Sequence, residues 1–391
     1  MEHIRMQPHA PKGAPGAYMQ HMAPESARMA RAFHRSFDRY APTPLVELRA
    51  LAARLGLGGV FVKDESPRFD LNAFKVLGGS YALARHVAAR AGLPAQELRR
   101  EALEGEACRR ALAGATFFTA TDGNHGRGVA WAARELGCRA VVRMPRGTVR
   151  SRVENIRALG AEVSVEALNY DECVRLAARQ AARTPGGVVV QDTAWPGYEQ
   201  VPLWIMQGYL TMALEADEQL GAPPTHIFLQ AGVGSMAAAV AAYFHLRHPE
   251  APPRVIVVEP TAADCFFRSA RAGRIEAVRG DMNTMMAGLA CGEPNPIAWD
   301  ILDRLACAFL SCEDAVAARG MHMLAAPAGG DAPVVSGESG AVCLGALPEL
   351  VADSEARGAL GLGPDARVLL FSTEGATDPE NYRRVTGAVR V

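Results

Sequence analysis

Lys75 stands in the run Asn72-Ala73-Phe74-Lys75-Val76-Leu77-Gly78-Gly79, between an aromatic and two aliphatic residues. Phe74, Val76 and Leu77 would carry it into an apolar pocket. Burial disfavours an ammonium, so the amine is expected to titrate below its ordinary value. A neutral amine is a nucleophile that forms Schiff bases with carbonyls. The alternative is a lysine that snorkels from a helix start. Two aspartates extend the set. Asp122 lies in Thr121-Asp122-Gly123-Asn124-His125-Gly126, after an apolar run and before a helical one. Asp192 follows Val188-Val189-Val190-Gln191 and precedes Thr193-Ala194-Trp195-Pro196-Gly197-Tyr198. Ligands of α/β proteins bind at the carboxyl ends of strands, which is where both carboxylates would stand. Each has a plainer reading as well: Asp122 as a helix N-cap, Asp192 as the cap of a turn. His125, a single histidine in a loop, is read as a packing or supporting residue.

A glycine loop offers an anion site. Gln230-Ala231-Gly232-Val233-Gly234-Ser235-Met236 follows an apolar strand and opens a helix. Glycines let the backbone close on an anion, and the helix start supplies unpaired N–H donors. The same letters also read as G-x-G-x-x-A, with Glu259 ending the next strand, which is a dinucleotide fingerprint. A nicotinamide oxidoreductase would leave Lys75 and the Asn124 loop without a role. Ser372 and Thr373 follow the last apolar run, Val368-Leu369-Leu370-Phe371.

Apolar runs of strand length alternate with helical stretches. Strands are expected at 60–62, 116–119, 140–142, 163–165, 188–191, 226–229, 255–258 and 368–371. Ser151 to Leu159 has the helical spacing, with Gly160 as its stop. Strands without polar alternation, each followed by a helix, mean mostly parallel sheets covered on both faces: an α/β chain. Strands from about 115 to 191 would form one sheet, and the others a second. The expected domains are residues 1–84 with 206–391, large, and 85–205, small and inserted.

The lysine segment resembles that of the fold-type-II pyridoxal-phosphate enzymes, the group of serine and threonine dehydratases, cysteine synthases and the tryptophan synthase β chain. The longer run from Lys63-Asp64-Glu65-Ser66 to Gly79-Ser80-Tyr81, and the run from Asp192 to Tyr198, resemble most the diaminopropionate ammonia-lyases of that group. Thr43-Pro44-Leu45 fits as well, and the resemblance spans roughly residues 40–380. It implies a cofactor, pyridoxal 5'-phosphate, in a cleft between domains. Lys75 would carry it, with Phe74 beside it. Asn124 would meet the ring hydroxyl oxygen. Gly232, Val233, Gly234, Ser235 and Met236 would hold the phosphate. The hydroxyl of Ser372, or else Thr373, would face the pyridine nitrogen, which suits β-elimination over transamination. Residues 284–293 would line the cofactor face and residues 336–341 pack behind it. Dehydratases usually have a small hydroxyl residue where this chain has Asp122, and a carboxylate there attracts an ammonium. The substrate implied is therefore an amino acid with a second amine. By the same resemblance Asp122 and Asp192 face it from opposite sides and allow both D- and L-diaminopropionate to react, giving pyruvate and two ammonia. The alternatives are a serine or threonine dehydratase, or a cofactor-binding protein without lyase activity. Relatives suggest a homodimer.

Composition narrows the partners. The chain has 391 residues, 49% of them apolar, and a net charge of −1 with its charges scattered. That argues against a nucleic-acid surface. Residues 1–40 lack a signal-peptide pattern and read as a partly irregular arm. No apolar run is long enough to span a membrane. None of the eight cysteines forms a CxxC pair, so no metal site is expected, and reduced thiols in the cytoplasm are. Cys265 and Cys291 should lie near each other beside the cleft. A bridge between them would close a loop of about 27 residues and stabilise by about 3 kcal/mol; two free thiols are the other outcome.

Overall fold

The computed structural model describes residues 1–13 and 16–388. Eleven strands are described: β1 (Ile4–Pro8), β2 (Leu45–Glu47), β3 (Gly59–Asp64), β4 (Thr116–Ala120), β5 (Arg139–Met144), β6 (Glu162–Val165), β7 (Gly187–Val189), β8 (His226–Gln230), β9 (Arg254–Pro260), β10 (Ala306–Cys312) and β11 (Arg367–Ser372). They form two sheets, ordered β1-β10-β9-β8-β11-β3-β2 and β6-β5-β4-β7. All pairs of the smaller sheet are parallel. In the larger sheet β10, β9, β8, β11 and β3 run parallel, and β1 and β2 pair antiparallel at the two edges. The expected α/β class with mostly parallel, helix-covered sheets is what the chain adopts.

Three strands differ from expectation. β1 lies in the stretch read as an irregular arm. It is an edge strand with Ile4 buried and its other residues partly or fully exposed, so its pattern is weak. β2 is three residues long. β10 is Ala-Cys-Ala-Phe-Leu-Ser-Cys, too rich in small residues to stand out.

Close helix packing positions Lys75. Helix Lys75–Ala91 begins at that residue, with Phe74 as N-cap. It packs against helices Asn124–Glu135 and Gln200–Gln219. A Cβ added at Gly128 would lie 2.8 Å from Val76 Cα, and one at Gly208 2.3 Å from Leu77 O. Only glycine allows backbones this near. The first turn of the lysine helix is thus clamped from two sides.

The residues before Lys75 are held from below. Phe69, Asp70 and Asn72 adopt φ of 51°, 59° and 56°, left-handed backbone that is uncommon outside glycine. Arg68 anchors the bend. Its guanidinium reaches Glu65 (2.8 and 2.9 Å), Glu215 (2.7 and 3.0 Å) and Thr43 Oγ1 (3.0 Å). Lys63 Nζ lies 2.8 Å from Glu215 and donates to the Thr43 carbonyl at 2.6 Å. All five residues are buried. Above the bend, Phe74 N–H donates to Thr373 O (3.1 Å) and Gly375 N–H to Asn72 O (3.0 Å). The segment carrying Lys75 is thereby joined to the turn that follows β11.

Candidate active site

One cavity gathers Phe74, Lys75, Asp122, Asn124, His125, Asp192, the loop 230–236 and Thr373. Each comes from the end of a strand or the start of a helix. Asp122 follows β4, Asp192 follows β7, the glycine loop follows β8 and Thr373 follows β11. Of the residues expected at the site, Ser372 is the exception. Its hydroxyl is buried and donates to Ser336 Oγ at 2.8 Å, while Thr373 lines the cavity. Successive residues of a strand point to opposite faces, so only one of the two can face inward.

Lys75 Nζ makes a short ion pair with Asp192 Oδ2. The expectation of a lowered lysine pKa is overturned. Burial does pull the amine down, but the carboxylate of Asp192, with Tyr209 and Asp122 further off, outweighs it and lifts it above the ordinary lysine value. The flanking Val76 and Leu77 are buried as expected, yet Nζ itself meets a charge. Asp192 responds in the other sense. Burial would raise it, but the Lys75 ammonium, by its charge and its hydrogen bond, holds it well below the usual carboxylate range. Its Oδ1 accepts from Tyr170 Oη and Gln191 Nε2, both at 3.3 Å. The reading of Asp192 as a turn cap fails, because both oxygens face site residues.

Asp122 is not an N-cap either. Gly123 occupies that position, with no side-chain cap bond. The Asp122 carboxylate instead pairs with Arg152 at 3.4 Å. Burial raises it above its ordinary value, against the pull of Arg152 and Lys75, and Glu374 adds to the rise. Asn124 Nδ2 donates to Glu374 Oε2 at 2.6 Å. Arg152, Tyr170 and Glu374 carry no expectation from the sequence, and Gln230 and Ser339 belong to runs read there without a role of their own. Arg152 lies within a helix and Tyr170 starts one, and nothing local marks either. Glu374 stands beside Thr373 in a run noted for its hydroxyls.

His125 donates through Nε2 to Val190 O at 2.9 Å, which fits a supporting residue. Burial holds its imidazole below the ordinary value, with Lys75 acting the same way against Asp192. A neutral ring with Nε2–H presents a bare Nδ1. That atom is buried without a protein partner, and so is Ser339 Oγ. Both residues line the cavity. Buried polar atoms are normally satisfied, so these two mark where a ligand belongs.

The glycine loop opens a helix at the cavity wall. Gly234 has φ +88°, and a Cβ on it would lie 2.2 Å from Phe266 Cζ. The helix Ser235–Arg247 starts here, and the first N–H groups of a helix have no intrahelical partner. Ser235 Oγ donates to Asp192 O, and Asn295 Nδ2 donates to Ser235 Oγ (2.8 Å), which fixes the loop against the strand end of β7. Glu259 is not placed for a dinucleotide ribose. Its carboxylate is buried and caps the helix Cys265–Ala272, accepting from Phe266 N (2.8 Å) and Phe267 N (2.7 Å). Burial pushes it up to about 8.

Cys265 and Cys291 meet at this loop as free, buried thiols. Cys265 Sγ is 3.9 Å from Gly232 O, and Cys291 Sγ would lie 3.1 Å from a Cβ on Gly232. Gly288, Leu289 and Cys291 line the cavity, as expected for residues 284–293. Ser339 also lines it, so residues 336–341 reach the cavity as well as pack behind it.

Known proteins share this arrangement. Residues 37–374 match the family model for pyridoxal-phosphate dependent enzymes. The chain is 51% identical over 365 residues to the diaminopropionate ammonia-lyase of Salmonella typhimurium, covering 90% of each chain. A crystal structure of the Escherichia coli diaminopropionate ammonia-lyase with D-serine bound superposes with a TM-score of 0.90 at 46% identity, over 98% of this chain and 96% of that one. The biosynthetic L-threonine dehydratase of Pasteurella multocida is 30% identical over 239 residues, 61% of this chain and 40% of that protein. The chain therefore belongs to the pyridoxal-phosphate dependent enzymes and, among them, to the diaminopropionate ammonia-lyase family.

Proposed function

We propose that the protein uses pyridoxal phosphate to convert D- and L-2,3-diaminopropionate and water to pyruvate and two ammonia. The observation that carries this reading is a cavity with one lysine and three carboxylates, of which Asp192 pairs with Lys75, Asp122 with Arg152, and Glu374 accepts from Asn124. A dehydratase acting on a hydroxyl has no use for a second carboxylate where Asp122 stands. When bound, the cofactor supplies an electron sink for the charge left at the α-carbon.

The lining fits that group. Lys75 would hold it through its amine, and the backbone of Gly232, Val233, Gly234, Ser235 and Met236 would hold its phosphate. Asn124 would meet the ring hydroxyl. Gln230 Nε2 donates to Thr373 Oγ1 (2.9 Å) and to Phe371 O (2.8 Å). The Thr373 hydrogen is then free to face the cavity, which suits Thr373 for the pyridine nitrogen. Asp192 and Lys75 share a proton on one side, and Asp122 accepts one on the other. Asp192 would serve the L-isomer and Asp122 the D-isomer. A positioned base contributes about 10²- to 10⁴-fold.

Pyruvate release measured in parallel on D-diaminopropionate, L-diaminopropionate, serine and threonine tests the reading. Both diamino isomers should react far faster than either hydroxy amino acid. A chain that prefers threonine would be a dehydratase.

The reading also takes residues 85–205 as a small domain inserted into 1–84 and 206–391. All four strands of the smaller sheet fall in that range, and every other strand falls outside it. It takes the enzyme as a cytoplasmic homodimer, in keeping with its eight free thiols. No helix among the described residues is long and apolar enough to cross a membrane.

A further inference from the structure

Asp122 lines both the cavity and a neighbouring vestibule of about 640 Å³, as do Tyr170 and Cys291. Arg152 lines the vestibule from the helix Arg150–Arg157. This pair differs from the surface ion pairs of the chain. The Arg152 side chain is 9% exposed and that of Asp122 20%. The arginine stem lies across the Asp122 loop so closely that a Cβ on Gly123 would be 3.1 Å from Arg152 Cδ. The guanidinium engages Asp122 Oδ2, and its Nε is buried without a partner.

We propose that Arg152 is a positioning residue for Asp122: it holds one oxygen of the carboxylate and keeps the group ionised, so that the other oxygen can take the α-proton of the D-isomer. The inference rests on the reading that Asp122 and Asp192 divide the two isomers. A base must be unprotonated to act. The groups facing Asp122 come from several elements. Glu374, in the turn after β11, repels its charge, while Lys75 and Arg152 attract it. Lys75 is engaged by Asp192. Arg152 also feels the charges of Glu374, Glu338 and Asp378, so it balances several carboxylates besides Asp122. Without it, Asp122 would keep the cost of burial and the repulsion of Glu374, with only a shared lysine to offset them. Asp192 has no such dependence, because its support comes from Lys75 and Tyr170.

The test is a pH profile of kcat/KM on both isomers for the wild type, Arg152→Met, Arg152→Lys and Asp122→Asn. In Arg152→Met the acid limb of the D-isomer profile should move up by about one pH unit relative to that of the L-isomer, the usual effect of losing an adjacent opposite charge. Arg152→Lys should bring it most of the way back. In labelled holoenzyme, the Asp122 carboxyl carbon resonance, assigned by its absence in Asp122→Asn, should titrate higher by the same amount in Arg152→Met. A selective D-isomer loss in Asp122→Asn, with limb and resonance unmoved in Arg152→Met, would overturn the role of Arg152 alone. Equal losses on both isomers in Asp122→Asn would remove the division of labour beneath it. If Arg152→Met proves unstable, a D-isomer limb in Arg152→Lys that departs from the wild type as far as the whole expected shift would overturn the inference, since a retained charge should preserve the carboxylate.

Discussion

Around Arg68, two cations and two carboxylates are sealed from water and bonded to one another on every side. Around Lys75, one cation and three carboxylates share a wall with a histidine nitrogen and a serine hydroxyl that have no partner. Both clusters bury charge, and both lie within a few residues of the same left-handed bend. The first is finished by the protein alone. The second leaves donors and acceptors over, which is what a binding site must do. A buried ion pair offsets its own desolvation only when its remaining hydrogen-bonding capacity is also met. By that measure the Arg68 cluster is scaffold and the Lys75 cluster is a receptor.

Breaking the sealed cluster should have the largest effect. Arg68→Met would leave Glu65 buried without its ion-pair partner and Glu215 with Lys63 alone, at a cost of about 3–5 kcal/mol, read as a lower midpoint in denaturant unfolding. The intact cluster also makes a pH prediction. Burial would raise Glu215, but Arg68 and Lys63 hold it down at about 2. A carboxyl depressed in the folded state adds stability above its unfolded value near 4.5, and that stability is lost as pH falls toward 2. Unfolding midpoints taken between pH 5 and 2.5 should fall in the wild type. Glu215→Gln should start lower and fall less.

A smaller effect is expected at the receptor. Gly234→Ala sets a Cβ against Phe266 at a left-handed position. Pyridoxal-phosphate affinity, read by equilibrium dialysis, should drop at least tenfold, or about 1.4 kcal/mol. Unchanged affinity would move the phosphate elsewhere. The smallest expected effect separates two neighbours. Thr373→Val should perturb the visible absorbance of the bound cofactor and cost about 1 kcal/mol of its affinity, the scale of a single hydrogen bond. Ser372→Ala, whose hydroxyl faces Ser336, should leave the spectrum as it was. The reverse result would put the inward face of β11 one residue earlier.

What could be read from the sequence tracks how local each signal is. Six of the eight apolar strands are legible because they are buried on both faces, while β6 and β7 are only partly buried and are marked by their valines alone. The Asp122 loop, the Asp192 turn and the glycine loop stood out because glycines and polar residues follow an apolar run directly. Arg152 could not be found this way: in Ser151-Arg152-Val153-Glu154 it looks like any solvent-facing arginine, and only the fold lays it over Gly123. The proton on Lys75 escapes a local reading for the same reason. Its immediate neighbours are apolar, but the group that sets its proton is Asp192, brought in from another sheet.

The placement of β11 has a consequence for how the protein is made. It is the last strand in the sequence among the described residues, yet it lies between β8 and β3. Until a ribosome has delivered it, β3 and β8 can each present an unpaired parallel edge, and Thr373 and Glu374 are missing from the cavity. Long-range strand pairing of this kind is slow, and open edges invite contact with other chains. The nascent enzyme is therefore most exposed to aggregation just before β11 emerges. Variants that weaken β11 should show up first as poor yield in the cell and only later as poor catalysis in the tube.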